Sequence, residues 1–216
     1  MVRHISLVTF LLLAAALPAR ADTAKQALEA HGFIEVVDVI PDIVLDIRYA
    51  TANNFTGDVV YPCGRCYLRR DVAQRLARAQ EVLRPLGLGL KIFDGYRPFR
   101  VQERFWELVP DERYVARPKR ENGVIIVGSR HNLGAAVDVS LVDAAGNDLE
   151  MPTDYDDFSD KARPDWDGTS DTAKKNRALL LKVMQDAGFT VYPTEWWHYD
   201  APGWEGYEML DLPFCD

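Results

Sequence analysis

The sequence predicts an α+β domain, a mostly antiparallel sheet flanked by helices, and three observations carry that prediction. Helical periodicity occurs in isolated stretches, and short β-branched or alternating runs lie between them. The two never settle into the regular strand–helix–strand rhythm of a parallel sheet. Residues 22–216 suit one compact domain with enough chain for a real core, and no internal repeat, low-complexity tract or linker divides them.

The first residues read as a processing signal. Arg3 and His4 form a short polar start, Ile5 to Leu17 is nearly unbroken apolar, and Pro18-Ala19-Arg20-Ala21 ends in the small residues of an A-x-A-like cleavage site. The apolar run is shorter than the roughly 20 residues a bilayer needs, and no cysteine follows the cleavage point to carry a lipid. A leader over 1–21 is therefore expected. The mature chain would be exported, periplasmic or secreted, would begin near Asp22, and would keep no stable membrane insertion. Losing Arg3 and Arg20 leaves 23 of the 25 basic residues against 33 acidic ones, a balance of −10. Nucleic acid is a poor partner for that charge, because phosphate binding rests on basic patches.

Taken in order, residues 34–49 are rich in Ile and Val and predict one or two strands broken at Pro41-Asp42. Ala50 to Pro62 is polar and irregular. From Asp71, the apolar residues Val72, Leu76, Ala79 and Leu83 recur at helical spacing until Pro85 and Gly87 stop them. Leu88 to Phe93 reads as a buried strand running into the turn Asp94-Gly95-Tyr96-Arg97-Pro98, which presents Arg97 at a strand end. A short helix over Phe99 to Leu108 follows, then irregular chain, then a strand over Val124 to Val127. Beyond Ser129, Val137, Val139 and Leu141 alternate with Asp138 and Ser140, which turns Asp138 away from the aliphatic face. Ser170 or Asp171 can cap a helix with apolar positions Ala173, Leu180, Met184 and Ala187, closed by Gly188. Phe189 to Tyr192 is a strand leading to Glu195-Trp196-Trp197-His198-Tyr199-Asp200.

Cys63, Cys66 and Cys215 are the three cysteines. In an oxidising compartment one disulfide is expected with one thiol left over, and a bridge from Cys215 to Cys63 or Cys66 would pin the C-terminal tail. Cys63-Gly64-Arg65-Cys66 has neither the second C-x-x-C of a zinc knuckle nor the βαβ context of a redox motif.

The chemistry-bearing residues gather at two strand boundaries. Of the histidines beyond the leader, His31 is left as an ordinary surface or core residue, whereas His131 and His198 each sit at a strand boundary beside acids and glycine or aromatic residues. His131, Asp138 and His198 could fill three positions of a tetrahedral zinc ion and leave the fourth for water. Two imidazoles disfavour Mg²⁺ or Ca²⁺. Glu195, three residues before His198, is placed to act as general base, and Arg97 could stabilise negative charge on an attacked carbonyl oxygen. Each has a plainer reading as a packed histidine or an ion-paired side chain, and H-x6-D and E-x2-H are short patterns that recur by chance.

Resemblance narrows these alternatives. Ser129-x-His131-x-x-Gly134-x-Ala136-x-Asp138 resembles the signature of the zinc D-Ala-D-Ala peptidases that share the hedgehog-type fold, and Glu195-Trp196-Trp197-His198-Tyr199 is similar to their second metal motif. Asp46-Ile47-Arg48-Tyr49-Ala50-Thr51 with Asn54-Phe55-Thr56-Gly57, the Asp94–Pro98 turn and the Asn176–Gly188 helix resemble the VanX-type D-alanyl-D-alanine dipeptidases in particular. The resemblance implies one zinc ion per chain on His131, Asp138 and His198. It implies Glu195 as base and then acid to the leaving amine, and Arg97 as transition-state stabiliser. The substrate implied is a small D-amino-acid dipeptide, D-Ala-D-Ala. Its free amine would be held by an acid and a tyrosine, with Asp157 in Tyr155-Asp156-Asp157-Phe158 the candidate for the acid, and Ser129 would serve near its carboxylate. The alternatives are a D,D-carboxypeptidase on longer muropeptides and a non-catalytic peptidoglycan-binding module. Glu195 argues against the second, since a binder has no need of a base.

Overall fold

The computed structural model describes residues 22–216, so the expected leader lies outside the described residues. Helix α1 (Thr23–Ala30) is capped by the Asp22 carboxylate, which accepts from the Lys25 N–H. Strand β1 (Phe33–Glu35) pairs antiparallel with β3 (Tyr67–Arg69), while β2 (Val44–Leu45) lies at the edge of the main sheet. Between them the Ile- and Val-rich run is mostly turn and 3-10 helix, so its strands are shorter than residues 34–49 predict. Val36 and Ile40 are fully buried there. Their apolar character marks burial and not extension.

The predicted helices are present: α2 (Arg70–Leu83), α3 (Phe99–Leu108) and α4 (Asp171–Asp186), the last with Ser170 as its N-cap. Strand β4 (Leu88–Asp94) is central, β5 (Lys119–Glu121) and β6 (Val124–Val127) form a separate hairpin, and β7 (Ala136–Asp143), β8 (Thr190–Tyr192) and β9 (Glu195–Asp200) complete the sheet. The five strands run in the order β2-β4-β7-β9-β8, and only the β2–β4 pairing is parallel. This is the mostly antiparallel α+β architecture expected.

Helices α2 and α4 pack on each other and on the sheet, α2 against β4 and α4 against β7, β8 and β9. The core joins Leu76 and Leu83 of α2 to Val137, Val139 and Leu141 of β7 and to Leu180 and Met184 of α4. With the aliphatics of β7 in this core, period-two alternation sends Asp138 to the opposite face.

Sheet register then lines up the polar residues. Asp138 lies directly across from Asp94 of β4 on one side and from His198 of β9 on the other. A shift between Val191 and Tyr192 sets Tyr192 against Glu195 where regular pairing would reach His198. This bulge breaks the alternation along β9 and lets Glu195 share a cavity with His198.

The turn before β7 is fixed by local chemistry. Arg130–Leu133 is a 3-10 turn in which the Ser129 hydroxyl accepts from the His131 N–H and the Asn132 side chain accepts from the Ser129 N–H. Gly134 ends it at φ +68°, and a Cβ there would lie 2.2 Å from the Phe33 ring. Gly134→Ala is expected to cost at least about 2 kcal/mol from the left-handed backbone and the clash together. Chemical denaturation of the purified chain measures it.

Candidate active site

His131, Asp138 and His198 converge through particular atoms. His131 Nε2 lies 3.1 Å from His198 Nδ1 and 3.4 Å from Asp138 Oδ1, and His198 Nδ1 lies 3.1 Å from the same oxygen. The other atom of each side chain is already engaged. His131 Nδ1 is 2.8 Å from the Gly95 carbonyl, His198 Nε2 is 3.0 Å from Asp200 Oδ1, and Asp138 Oδ2 accepts from the Tyr155 hydroxyl at 2.9 Å. Those partners set the tautomers so that two lone pairs and a carboxylate oxygen face one another. Asp138 Oδ1 is buried with no hydrogen-bond donor, an arrangement that costs free energy unless a cation completes it. A tetrahedral zinc with bonds of about 2.0–2.1 Å has ligand-to-ligand edges of about 3.3 Å. The donor set, its spacing and the orphaned oxygen fit that ion.

Glu195 is buried on the same cavity, its Oε2 3.9 Å from His198 Nδ1. Burial pushes its carboxyl up to about 8, with the charges of Asp138 and Asp156 adding to the rise and His198 opposing it. A carboxyl in that range can take up and return a proton near neutral pH.

Arg97 is held rigidly. Its Nε and one terminal nitrogen donate to Asp94 Oδ2 at 3.0 and 2.8 Å, and the other terminal nitrogen donates to Gln102 Oε1 at 2.8 Å. Asp94 is stabilised in turn by the Tyr61 hydroxyl and the Gly95 N–H, both at 2.9 Å from Oδ1. A guanidinium has five N–H groups, so two terminal ones remain for the cavity that Arg97 lines.

The cavity measures about 390 Å³ and is walled by Tyr49, Phe55, Phe105, Tyr114, Phe158 and Trp197 around these polar groups. Ser129 lines it as well, although its oxygen also caps the turn that carries His131. The predicted Asp157 does not line the cavity, whereas its neighbour Asp156 does. Asp156 takes a left-handed φ of +63°. The Tyr49 hydroxyl donates to Asp156 Oδ1 at 3.1 Å, and Oδ2 is buried without a partner. Burial, with the Asp138 charge behind it, pushes the Asp156 carboxyl up to about 7.

Sequence reasoning missed Asp156, Tyr155, Tyr49 and Asp200 as members of the site. A φ above zero at a non-glycine leaves no mark on a run of two aspartates. Tyr49 and Asp200 lie inside motifs quoted for the resemblance, but their partners come from distant chain.

The profile of the peptidase M15 family, described as D-ala-D-ala dipeptidase, matches residues 29–214. The D-alanyl-D-alanine dipeptidase of Escherichia coli (strain K12) is 33% identical over 177 residues, 82% of this chain and 88% of that one. That of Enterococcus faecalis (strain ATCC 700802 / V583) is 30% identical over 200 residues, covering 86% and 95%. That of Enterococcus faecium is 31% identical over 182 residues, covering 78% and 90%. With a profile running almost from α1 to the C-terminal tail and relatives aligned over most of both chains, this protein belongs to the peptidase M15 family of D-ala-D-ala dipeptidases.

Proposed function

We propose that this chain hydrolyses the dipeptide D-alanyl-D-alanine to two molecules of D-alanine in cell-wall peptide metabolism, with one zinc ion held by His131 Nε2, Asp138 Oδ1 and His198 Nδ1. The observation that carries the reading is the orphaned Asp138 Oδ1 facing two imidazole lone pairs, with the Glu195 carboxyl on the same cavity. When bound, zinc supplies Lewis-acid chemistry, polarising the scissile carbonyl and making water a competent nucleophile near neutral pH. Glu195 accepts the proton of the attacking water and returns it to the leaving amine. The two free N–H groups of Arg97 stabilise the oxyanion, at low reorganisation cost because Asp94 and Gln102 already hold the side chain. Asp156 and the Tyr49 hydroxyl receive the free ammonium of the substrate, taking the place assigned to Asp157 from sequence, and Ser129 serves its carboxylate end.

Export fits this reading. No helix among the described residues is long and apolar enough to cross a membrane, and Cys63 is disulfide-bonded to Cys215, as suits an oxidising compartment. Asp22, where the mature chain is expected to start, caps α1, so cleavage before it leaves the domain whole. A periplasmic enzyme of this kind would act on dipeptide released from wall material.

Three outcomes are expected. Glu195→Gln should lower kcat by about 10²–10⁴-fold while zinc per chain, read by atomic emission, stays at the wild-type value. Unchanged turnover would remove Glu195 from the reaction. Asp156→Asn should raise KM for D-Ala-D-Ala by about 10- to 100-fold, the loss of one charged hydrogen bond, with a smaller effect on kcat. Free D-Ala-D-Ala should be cleaved in strong preference to its N-acetylated form. A preference for the acetylated peptide would make the enzyme a D,D-carboxypeptidase instead.

A further inference from the structure

Behind the His198 ring, on the side away from the convergence with His131 and Asp138, lies a second set of groups. The Nε2 edge of the ring meets Asp200 Oδ1 at 3.0 Å, and Asp200 Oδ2 pairs with the Arg130 guanidinium. Asp200 is 5% exposed and lies two residues from His198 on β9, so both side chains leave the same face of the strand. Arg130 sits between Ser129 and His131 in the 3-10 turn, and its guanidinium lies 4.6 Å from the Trp204 ring centroid, within cation–π range. Backbone pairing fixes the two anchors relative to each other. The Ala135 N–H donates to the Arg130 carbonyl, the Ala201 N–H donates to the Ala135 carbonyl, and Ala136 pairs with Asp200 in the β7–β9 register. Thus one edge of His198 is controlled by a residue of its own strand, and that residue is held by the turn that carries His131.

We infer that Asp200 and Arg130 are positioning residues for the metal centre. Asp200 holds the proton on His198 Nε2, so that the lone pair of the neutral ring sits on Nδ1, and fixes the ring with Nδ1 aimed at His131 Nε2 and Asp138 Oδ1. Arg130, stacked on Trp204, stops Asp200 from rotating away. The inference rests on the zinc reading given above and goes beyond it by naming what makes His198 bind through Nδ1 while His131 binds through Nε2. A carboxylate is required at 200 because it faces two donors at once, one on each oxygen. An amide would set its NH2, which accepts nothing, against one of the two donors. The remaining groups against His198 do not substitute for it. Glu195 approaches Nδ1 and only to 3.9 Å, and Tyr192 makes a T-shaped ring contact, with centroids 5.3 Å apart.

The test is Zn²⁺ affinity of the metal-free full chain, measured by competition with a chromophoric chelator, for wild type, Asp200→Asn, Arg130→Gln and the double variant. The visible spectrum of the Co²⁺-loaded proteins reads ligand geometry independently of activity. Asp200→Asn should bind zinc about 10- to 100-fold more weakly with a changed cobalt spectrum. Arg130→Gln should lose less, and the double variant should be no worse than Asp200→Asn, because both act through one hydrogen bond. Zinc affinity of Asp200→Asn within about threefold of wild type, or independent multiplicative losses in the double variant, would overturn the inference. Should Asp200→Asn fail to fold, Arg130→Gln at the half-exposed end decides alone, and an unchanged affinity and spectrum there would overturn it. A wild-type chain that binds no zinc would sink the metal reading itself, and this inference with it.

Discussion

The antiparallel register of β4, β7 and β9 is the constraint from which the site follows. It puts Asp94, Asp138 and His198 in one row across three neighbouring strands, on the face opposite the aliphatic core. A slip of one residue at either pairing would send half of that row into the helix-facing core. Everything else in the site attaches to the row: the Ser129–Gly134 turn delivers His131, the Asp94–Pro98 turn delivers Arg97, and the bulge opposite Tyr192 delivers Glu195. The helices α2 and α4 contribute no group to the cavity and hold the register by burying the other face.

So many buried charges would ordinarily weaken a domain of this size, because desolvation of an ion pair can exceed its attraction. Here the central pair, Arg97 with Asp94, is held by further hydrogen bonds. Arg97 donates two hydrogen bonds to Asp94 and a third to Gln102, and Tyr61 with the Gly95 N–H covers the second Asp94 oxygen. Tyr61 in turn packs edge-on against Phe214, with centroids 4.9 Å apart, and the neighbouring Cys215 is tied to Cys63. The C-terminal tail thereby packs behind Tyr61, which holds Asp94. Two buried carboxylate oxygens on the cavity, Asp138 Oδ1 and Asp156 Oδ2, have no such partner.

Much of this was legible from sequence, for physical reasons that differ by element. Helices α2, α3 and α4 declare themselves by period and by their stop and cap residues, and the alternation of Val137, Val139 and Leu141 placed Asp138 correctly. The short pieces were not legible: β3 is a three-residue strand made by pairing with β1, and β5 is a charged Lys-Arg-Glu run that is a strand only because β6 lies beside it. Spacing within a motif brought out His131, Asp138, Glu195 and His198. It could not separate Asp156 from Asp157, because two adjacent aspartates read alike and only the folded chain shows which one lines the cavity. Nor could it pair Cys215 with Cys63 and leave Cys66 buried and free, since both partners lie three residues apart.

The line of oxygens from Asp138 to Asp156 has a consequence in protons. Asp138 Oδ2, the Tyr155 hydroxyl, the Tyr49 hydroxyl and Asp156 Oδ1 make three successive contacts of 2.9, 3.1 and 3.1 Å. Two hydroxyls bring two protons to three contacts. With Asp156 charged, Tyr49 must donate to it and the contact between the tyrosines has none. A proton on Asp156, or any donor arriving from the cavity, frees the Tyr49 hydrogen to turn toward Tyr155. Tyr155 then donates to Asp138 while accepting, and a hydroxyl that does both is the stronger donor. What reaches one end of the cavity is therefore felt, through two rotating hydroxyls and without movement of the backbone, by the carboxylate at the other.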